Sequence, residues 1–475
     1  MGGFVRHTHG FAVAAFSSIL WLGPTLPSAA HAQTIRQLFA FPCTVIGKPP
    51  HQTTSCPQGS GPGFLLQSVD GNFYGTTGFG GTGNQATGTV FRLAPSGKLT
   101  TLYTFVADSS GNFRNGAHPG GIIEGNDGFL YGTAASNSSG AGGVIFKLSR
   151  TGAIQVLHKS STQTPYSLTL GADGNLYGCT PVADSILLTG ATIFQLTLAG
   201  VYTTLHTFNT PTEGPGCMGI ILASDGNFYG TTIGDVRKIT TLFRLTPAGQ
   251  FTILQTVHYG QFPVGAPIQA ADGKVYGALD FVENGGPFVP GLFASELSGT
   301  GYQQIALSYP VLDWVGNLTD ASDGNFWAID FRLGPSGSLV SFAHNGSPLR
   351  QVDFGGFGLV QISNGTFLAV TGGGTVPPGE VAGGSIVTIS AGLPAPKPLF
   401  VRPGTPSGVV GSKVMIHGRN LLGTTRVTFN GVSGAFQILN TVNILATVPA
   451  GATTGSIAVT NAGGTTDSQT DFTVP

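Results

Sequence analysis

The chain has 475 residues, of which 75 are glycine, 30 proline and 32 phenylalanine, while lysine, arginine, aspartate and glutamate together make up only 9%. With 41% apolar residues it is too hydrophobic and too weakly charged to be disordered, and its glycines follow no three-residue collagen period. A net charge of −1 leaves no electrostatic footprint for nucleic acid, so the composition points to a large, aromatic-rich all-β protein.

Residues 1–32 read as a secretory signal peptide. Arg6, His7 and His9 form a polar start, Phe11 to Gly23 is an uncharged and mostly apolar stretch, and Ala30-His31-Ala32 supplies a small-x-small cleavage pattern ahead of Gln33. The apolar stretch is shorter than the roughly 18 residues a bilayer crossing needs. No later segment of the sequence has that length and apolarity, so an exported chain without a transmembrane segment is expected: periplasmic, extracellular or cell-surface associated.

One unit then recurs seven times. Asp70-Gly71-Asn72-Phe73-Tyr74-Gly75 returns at Asp127, Asp173, Asp225, Asp272 and Asp323, with a degenerate seventh copy at Asn364-Gly365-Thr366-Phe367-Leu368. The spacings of 57, 46, 52, 47, 51 and 41 residues fit a four-stranded propeller blade. Each unit reads as an apolar strand a, an Asp-Gly turn of the type I′ kind, strand b (Phe-Tyr-Gly-Thr-Thr), a variable loop, strand c (Thr89 to Leu93), a tight turn at Pro95-Ser96-Gly97, and strand d (Leu99 to Phe105). The seventh unit lacks strand d, and Thr34 to Phe41 is a strand d without a blade. The first strand of the mature chain is therefore expected to close a seven-bladed β-propeller over residues 33–393.

These motifs, Asp-Gly-Asn-Phe-Tyr-Gly-Thr-Thr with Gly-Thr-Val-Phe-Arg-Leu and Leu-Tyr-Thr-Phe, resemble the GloVer tandem repeat of bacterial exported proteins. The resemblance implies a secreted or surface location and carries no catalytic residues with it.

Four cysteines in an exported chain favour disulfides. Cys43 and Cys56 bracket one loop, while Cys179 ends strand b of the third unit and Cys217 precedes strand a of the fourth. The pairs Cys43–Cys56 and Cys179–Cys217 are expected, against the alternative of buried free thiols.

After the prolines at 394, 396 and 398 the text changes. Val414 to Leu421, Val427 to Gly431, Ala446 to Pro449 and Ile457 to Asn461 are short strands at turn-rich intervals, as in an immunoglobulin-like β-sandwich over residues 394–475. They resemble the IPT/TIG family, which implies a spacer or adhesion module. His417 and Arg419 read as surface strand residues.

The scan for chemistry yields no catalytic residues, no metal site and no cofactor. Gly78 to Gly83 matches G-x-G-x-x-G, but with 75 glycines about two such matches arise by chance. One aspartate per turn, each in a different blade, does not assemble a calcium site. His158 and His206 share the strand-d position of Tyr103 and belong to the repeat. Binding is expected on the face carrying the long b–c and d–a loops. His118 and Trp314 stand at the channel mouth there, with Arg114, Tyr259, Asp313, Arg350 and Asp353 near them. The resulting expectation is a monomeric, non-enzymatic binding or adhesion protein for an extracellular glycan or protein. The alternative is a propeller-type polysaccharide lyase or hydrolase.

Overall fold

The computed structural model describes residues 34–47, 53–135, 142–160, 165, 167–180, 190–232, 239–257, 261–282, 288–307, 318–330, 338–354, 356–372 and 380–475. The segment read as a signal peptide lies outside them. Among the described residues the chain is all-β apart from one helix, Thr210–Glu213.

Seven antiparallel sheets precede two C-terminal ones. Blade 1 runs Ser60–Gln67, Phe73–Phe79, Thr89–Leu93 and Leu99–Thr104 as strands a to d, and the next five sheets repeat that order. In the seventh, strands Gly356–Gln361, Phe367–Thr371 and Glu380–Ser390 are completed by the N-terminal strand Thr34–Ile46, which pairs Thr34 with Ser390 and Thr44 with Glu380. That strand runs on past the expected Phe41 and folds back on Thr53–Ser55.

Strand b shows why the sheets stack. Its side chains alternate sides, so Phe73 faces the seventh sheet and Tyr74 the second. Every later copy does the same: Tyr131, Tyr177, Tyr229, Tyr276, Trp327 and Leu368 each enter the apolar cluster shared with the following sheet. Seven such clusters join successive sheets, including one between the seventh and the first. The arrangement is that of propeller blades.

The glycine after the tyrosine makes room inside a blade. Gly75, Gly132, Gly178, Gly230 and Gly277 pair with Phe91, Phe146, Phe194, Phe243 and Phe293 on strand c. A Cβ at Gly230 would lie 2.4 Å from the Phe243 ring. Blades 6 and 7 solve the same volume differently, pairing Ala328 with Val340 and Ala369 with Val387.

The a–b turn differs from the expected type I′. Ser68 N–H donates to Asn72 O and Gly71 N–H to Ser68 O, both at 3.0 Å, and of Asp70 and Gly71 only the glycine has positive φ. This is a three-residue loop closed by one left-handed glycine. The aspartate is there for its carboxylate: Asp70 Oδ1 accepts Asn72 N–H at 3.0 Å and Oδ2 accepts the Tyr74 hydroxyl at 2.7 Å. The strand before it accordingly stops at Gln67, short of Val69.

The C-terminal sheets, Leu399–Pro403, Lys413–Arg419, Asn443–Thr447, Phe436–Ile438 and Val432–Ser433, Arg426–Phe429, Ile457–Asn461, Gly464–Asp467, enclose one apolar core that includes Val401, Ile416, Phe429 and Phe472.

Candidate functional site

The residue three before each turn aspartate ends strand a. Around the blades these are Gln67, Glu124, Leu170, Leu222, Gln269, Asp320 and Gln361. Where the residue is polar it grips the turn of the preceding blade. Gln269 Oε1 accepts Ser224 N–H at 2.8 Å, and Gln361 does the same for Ser322 at 2.9 Å. Gln67 takes Ser363 N–H at 2.8 Å, Asp320 takes Ala271 N–H at 2.7 Å, and Glu124 Oε1 accepts the Ser68 hydroxyl at 3.0 Å.

Two junctions carry leucine instead, and each is held otherwise. Between blades 3 and 4 the Cys179–Cys217 disulfide joins strand b to the first residue of strand a (Cα–Cα 5.9 Å). Between blades 2 and 3, Asn126 Oδ1 accepts Asn440 Nδ2 and Asn443 Nδ2, both at 2.8 Å, from the C-terminal sheets. Val442 from the same segment packs into the cluster of Leu168 and Leu170. Cys43–Cys56 ties the N-terminal strand to the start of blade 1. Both expected disulfides are present.

The C-terminal sheets therefore lie on the a–b turns rather than standing off on a linker. Ser322 Oγ donates to Pro394 O at 2.6 Å, and the Arg419 guanidinium donates to Gln269 O. Here the expectation of surface residues is corrected. His417 is buried, with Nδ1 2.7 Å from Asn443 Oδ1, and Arg419 points into the junction. Burial lowers the pKa of both, as it does for Arg402.

A cavity of about 320 Å³ remains between the C-terminal sheets and strands a of blades 1 to 5. Its walls are mainly aliphatic, with Leu66, Ile122, Leu170 and Leu222 on the blade side. Its polar groups include Glu124, Gln269, Arg402, His417, Arg419 and Asn443, with Gln67, Thr169, Ser224 and Thr441 beside them. Glu124 is tied to the Arg150 guanidinium, which also reaches Asp70 Oδ2 at 3.2 Å and lies over the Tyr74 ring at 4.8 Å. Burial nevertheless outweighs Arg150 and raises the Glu124 pKa. Its second oxygen is buried with no hydrogen-bond partner among the described residues.

The residues expected at the loop face are partly within view. His118 sits in strand a of blade 2 with φ +47°, its Nδ1 2.7 Å from Gly78 O and its ring edge-on to Phe79 at 5.3 Å. Phe79 is 61% exposed. Arg114 lies nearby in sequence, 2.6 Å from Asp108, whose carboxyl it holds down at about 2. Arg350 is elsewhere: its guanidinium donates to Ala391 O at 3.2 Å and faces the Trp327 ring, so it supports the blade 6–7 junction. Asp353 ends strand d of blade 6. Tyr259, Asp313 and Trp314 lie outside the described residues. The two repeat histidines stack between blades, His158 on Tyr202 and His206 on Phe251, each at 3.9 Å.

Among the described residues no helix is long and apolar enough to cross a membrane. The two disulfides point toward an oxidising compartment. Comparison with curated proteins finds no match. Solved structures with similarity include a putative gluconolactonase at 12% identity, covering 77% of this chain and 95% of that one with a TM-score of 0.41. A gluconolactonase from Xanthomonas campestris gives 13%, 75%, 98% and 0.38, and prolyl oligopeptidase B from Galerina marginata gives 12%, 76%, 55% and 0.47. Likenesses this weak carry no argument about activity. Residues 61–291, from blade 1 into blade 5, match the Gloeobacter/Verrucomicrobia repeat family.

Proposed function

We propose that the mature chain is an exported seven-bladed propeller, capped at its turn end by an IPT/TIG-type immunoglobulin-like domain. Its work is non-enzymatic: the loop end binds an extracellular glycan or protein. The observation that carries this reading is the seating of the C-terminal sheets on the a–b turns through Asn440, Asn443 and Arg419. With the turn end covered, the opposite end is the one left for a macromolecular partner. Phe79 supports the choice, because an exposed ring braced by His118 is a ready surface for stacking on a sugar or peptide. Arg114 and Asp108, which precede His118 on the same connection between blades 1 and 2, suit orientation of a polar ligand.

The test is a glycan and protein array probed with the protein from Gln33 onward, followed by Phe79→Ala, His118→Ala and Trp314→Ala. Loss of the captured ligand at an unchanged melting temperature supports the reading. Undiminished capture by all three variants rejects the loop-end site. Turnover of a polysaccharide on the array would replace binding with catalysis.

A further inference from the structure

We propose that the cavity beneath the C-terminal sheets is a second site, which takes a small organic acid with an apolar body and one carboxylate. Two arginines line it, Arg402 and Arg419, and neither forms an ion pair among the described residues. Arg419 gives one hydrogen bond to a backbone carbonyl, and Arg402 lines the cavity with its guanidinium against the Gly226 turn. Asp225 and Asp320 are the acidic groups that act on them from beyond the wall. Asp225 is engaged by Asn227 N–H and the Tyr229 hydroxyl, while Asp320 takes Ala271 N–H on Oδ2 and faces His344 Nε2 at 3.6 Å with Oδ1. Partly buried arginines without a carboxylate partner are costly to retain and favour a bound anion, since the guanidinium fork fits a carboxylate with two parallel hydrogen bonds.

The rest of the wall defines the body of the ligand. Leu66, Ile122, Leu170 and Leu222 present aliphatic surface, and the volume of about 320 Å³ suits a molecule of small-metabolite size. Glu124 sets the charge. A carboxylate on the wall penalises a doubly charged phosphate more than a ligand with a single carboxylate. This site is separate from the loop end, so the two proposals fail independently.

The experiment follows thermal unfolding of the full mature protein with hexanoate, hexanol and inorganic phosphate at up to about 10 mM, the range of weak millimolar binding. Hexanoate should raise the melting temperature with saturation, hexanol should not, and phosphate should do less than hexanoate. Arg402→Gln should weaken the hexanoate effect by roughly tenfold or more in apparent affinity. Arg402→Lys, which keeps the charge and loses the fork, should fall between. If Arg402→Gln does not fold, hexanoate against hexanol on the wild type and Arg402→Lys still decide the matter. No stabilisation by hexanoate, equal stabilisation by hexanol or phosphate, or an unaltered response in the Arg402 variants overturns the proposal.

Discussion

Gly230 and Phe243 face each other across strands b and c of blade 4, and a methyl group on Gly230 would stand 2.4 Å from the phenylalanine ring. Blades 6 and 7 carry alanine and valine at the same two places. The pair behaves as one volume shared between two side chains. Gly230→Ala should therefore destabilise the protein by about 1–3 kcal/mol through overpacking. Phe243→Val alone should cost a similar amount by opening a cavity. Combined, they should cost less than the sum by about 1 kcal/mol or more. Urea unfolding of the four proteins measures the coupling, and strict additivity would contradict the shared-volume account.

The hydroxyls of Tyr131, Tyr177, Tyr229 and Tyr276 donate to the turn aspartate four residues earlier at 2.7–2.9 Å. Burial first, and the adjacent carboxylate second, raise the pKa of all four. A group whose folded pKa is raised gives stability that is complete below its unfolded value and lost as pH climbs above it. The loss should begin near about 10, the ordinary tyrosine value. Absorbance at the tyrosinate band should show these residues ionising together with unfolding. Tyr177→Phe should cost about 1–3 kcal/mol at neutral pH, as for a hydrogen bond to a charged acceptor, and reduce the alkaline sensitivity.

The repeat was legible because its parts are local. The turn glycine, the aspartate two residues before an N–H, and the aromatic four residues on all lie within six positions, so the blade count and the closing strand could be read from spacing. The polar clamps at Gln67, Glu124, Gln269, Asp320 and Gln361 were also visible as a fixed offset, with Leu170 and Leu222 as the exceptions. Their meaning was hidden because each partner sits about 40–60 residues earlier or, for Gln67 and Ser363, nearly 300 residues later. The seating of the C-terminal sheets had no sequence signal beyond the lone His417 and Arg419. Isolated polar residues on a short strand look the same whether they face water or another domain.

His344 stands between two carboxylates, with Nε2 3.6 Å from Asp320 and Nδ1 3.7 Å from Asp272, and its ring lies against Phe326. The interaction with Asp320 raises its pKa against the opposing effect of burial. Its contribution to stability is therefore complete below about 6.5 and lost as pH rises through the higher folded value. The wild type should lose melting temperature across that interval, and His344→Gln should flatten the slope. An identical slope in the variant would remove His344 from the account.

The two disulfides close loops of different length, with separations of 13 and 38 residues. In the loop-entropy model these contribute about 3 and about 4 kcal/mol respectively. The longer bridge also spans a junction whose strand a ends in Leu222 rather than a polar clamp. Cys179→Ser with Cys217→Ser should thus destabilise more than Cys43→Ser with Cys56→Ser. Denaturant melts rank the two, and the reverse order would show that the Leu222 junction does not depend on its bridge.

Removing residues 395–475 would leave a soluble propeller if the C-terminal part were a spacer, and the contacts argue for a different outcome. Val442 leaves Leu168 and Leu170, the Asn126 side chain loses both of its amide donors, and the Gln269 carbonyl loses Arg419. The junction between blades 2 and 3 has no polar clamp and no disulfide to fall back on. The truncated protein should melt several degrees lower than the full chain, as a loss of 1–2 kcal/mol would give. Hydrogen exchange should locate the weakening in Leu168–Leu170 and the turn at Asn126, and leave the Cys179–Cys217 junction protected. The double change Asn440→Ala with Asn443→Ala should reproduce part of the effect in the intact chain. Equal melting temperatures for the truncated and full proteins would return the C-terminal sheets to the role of a spacer.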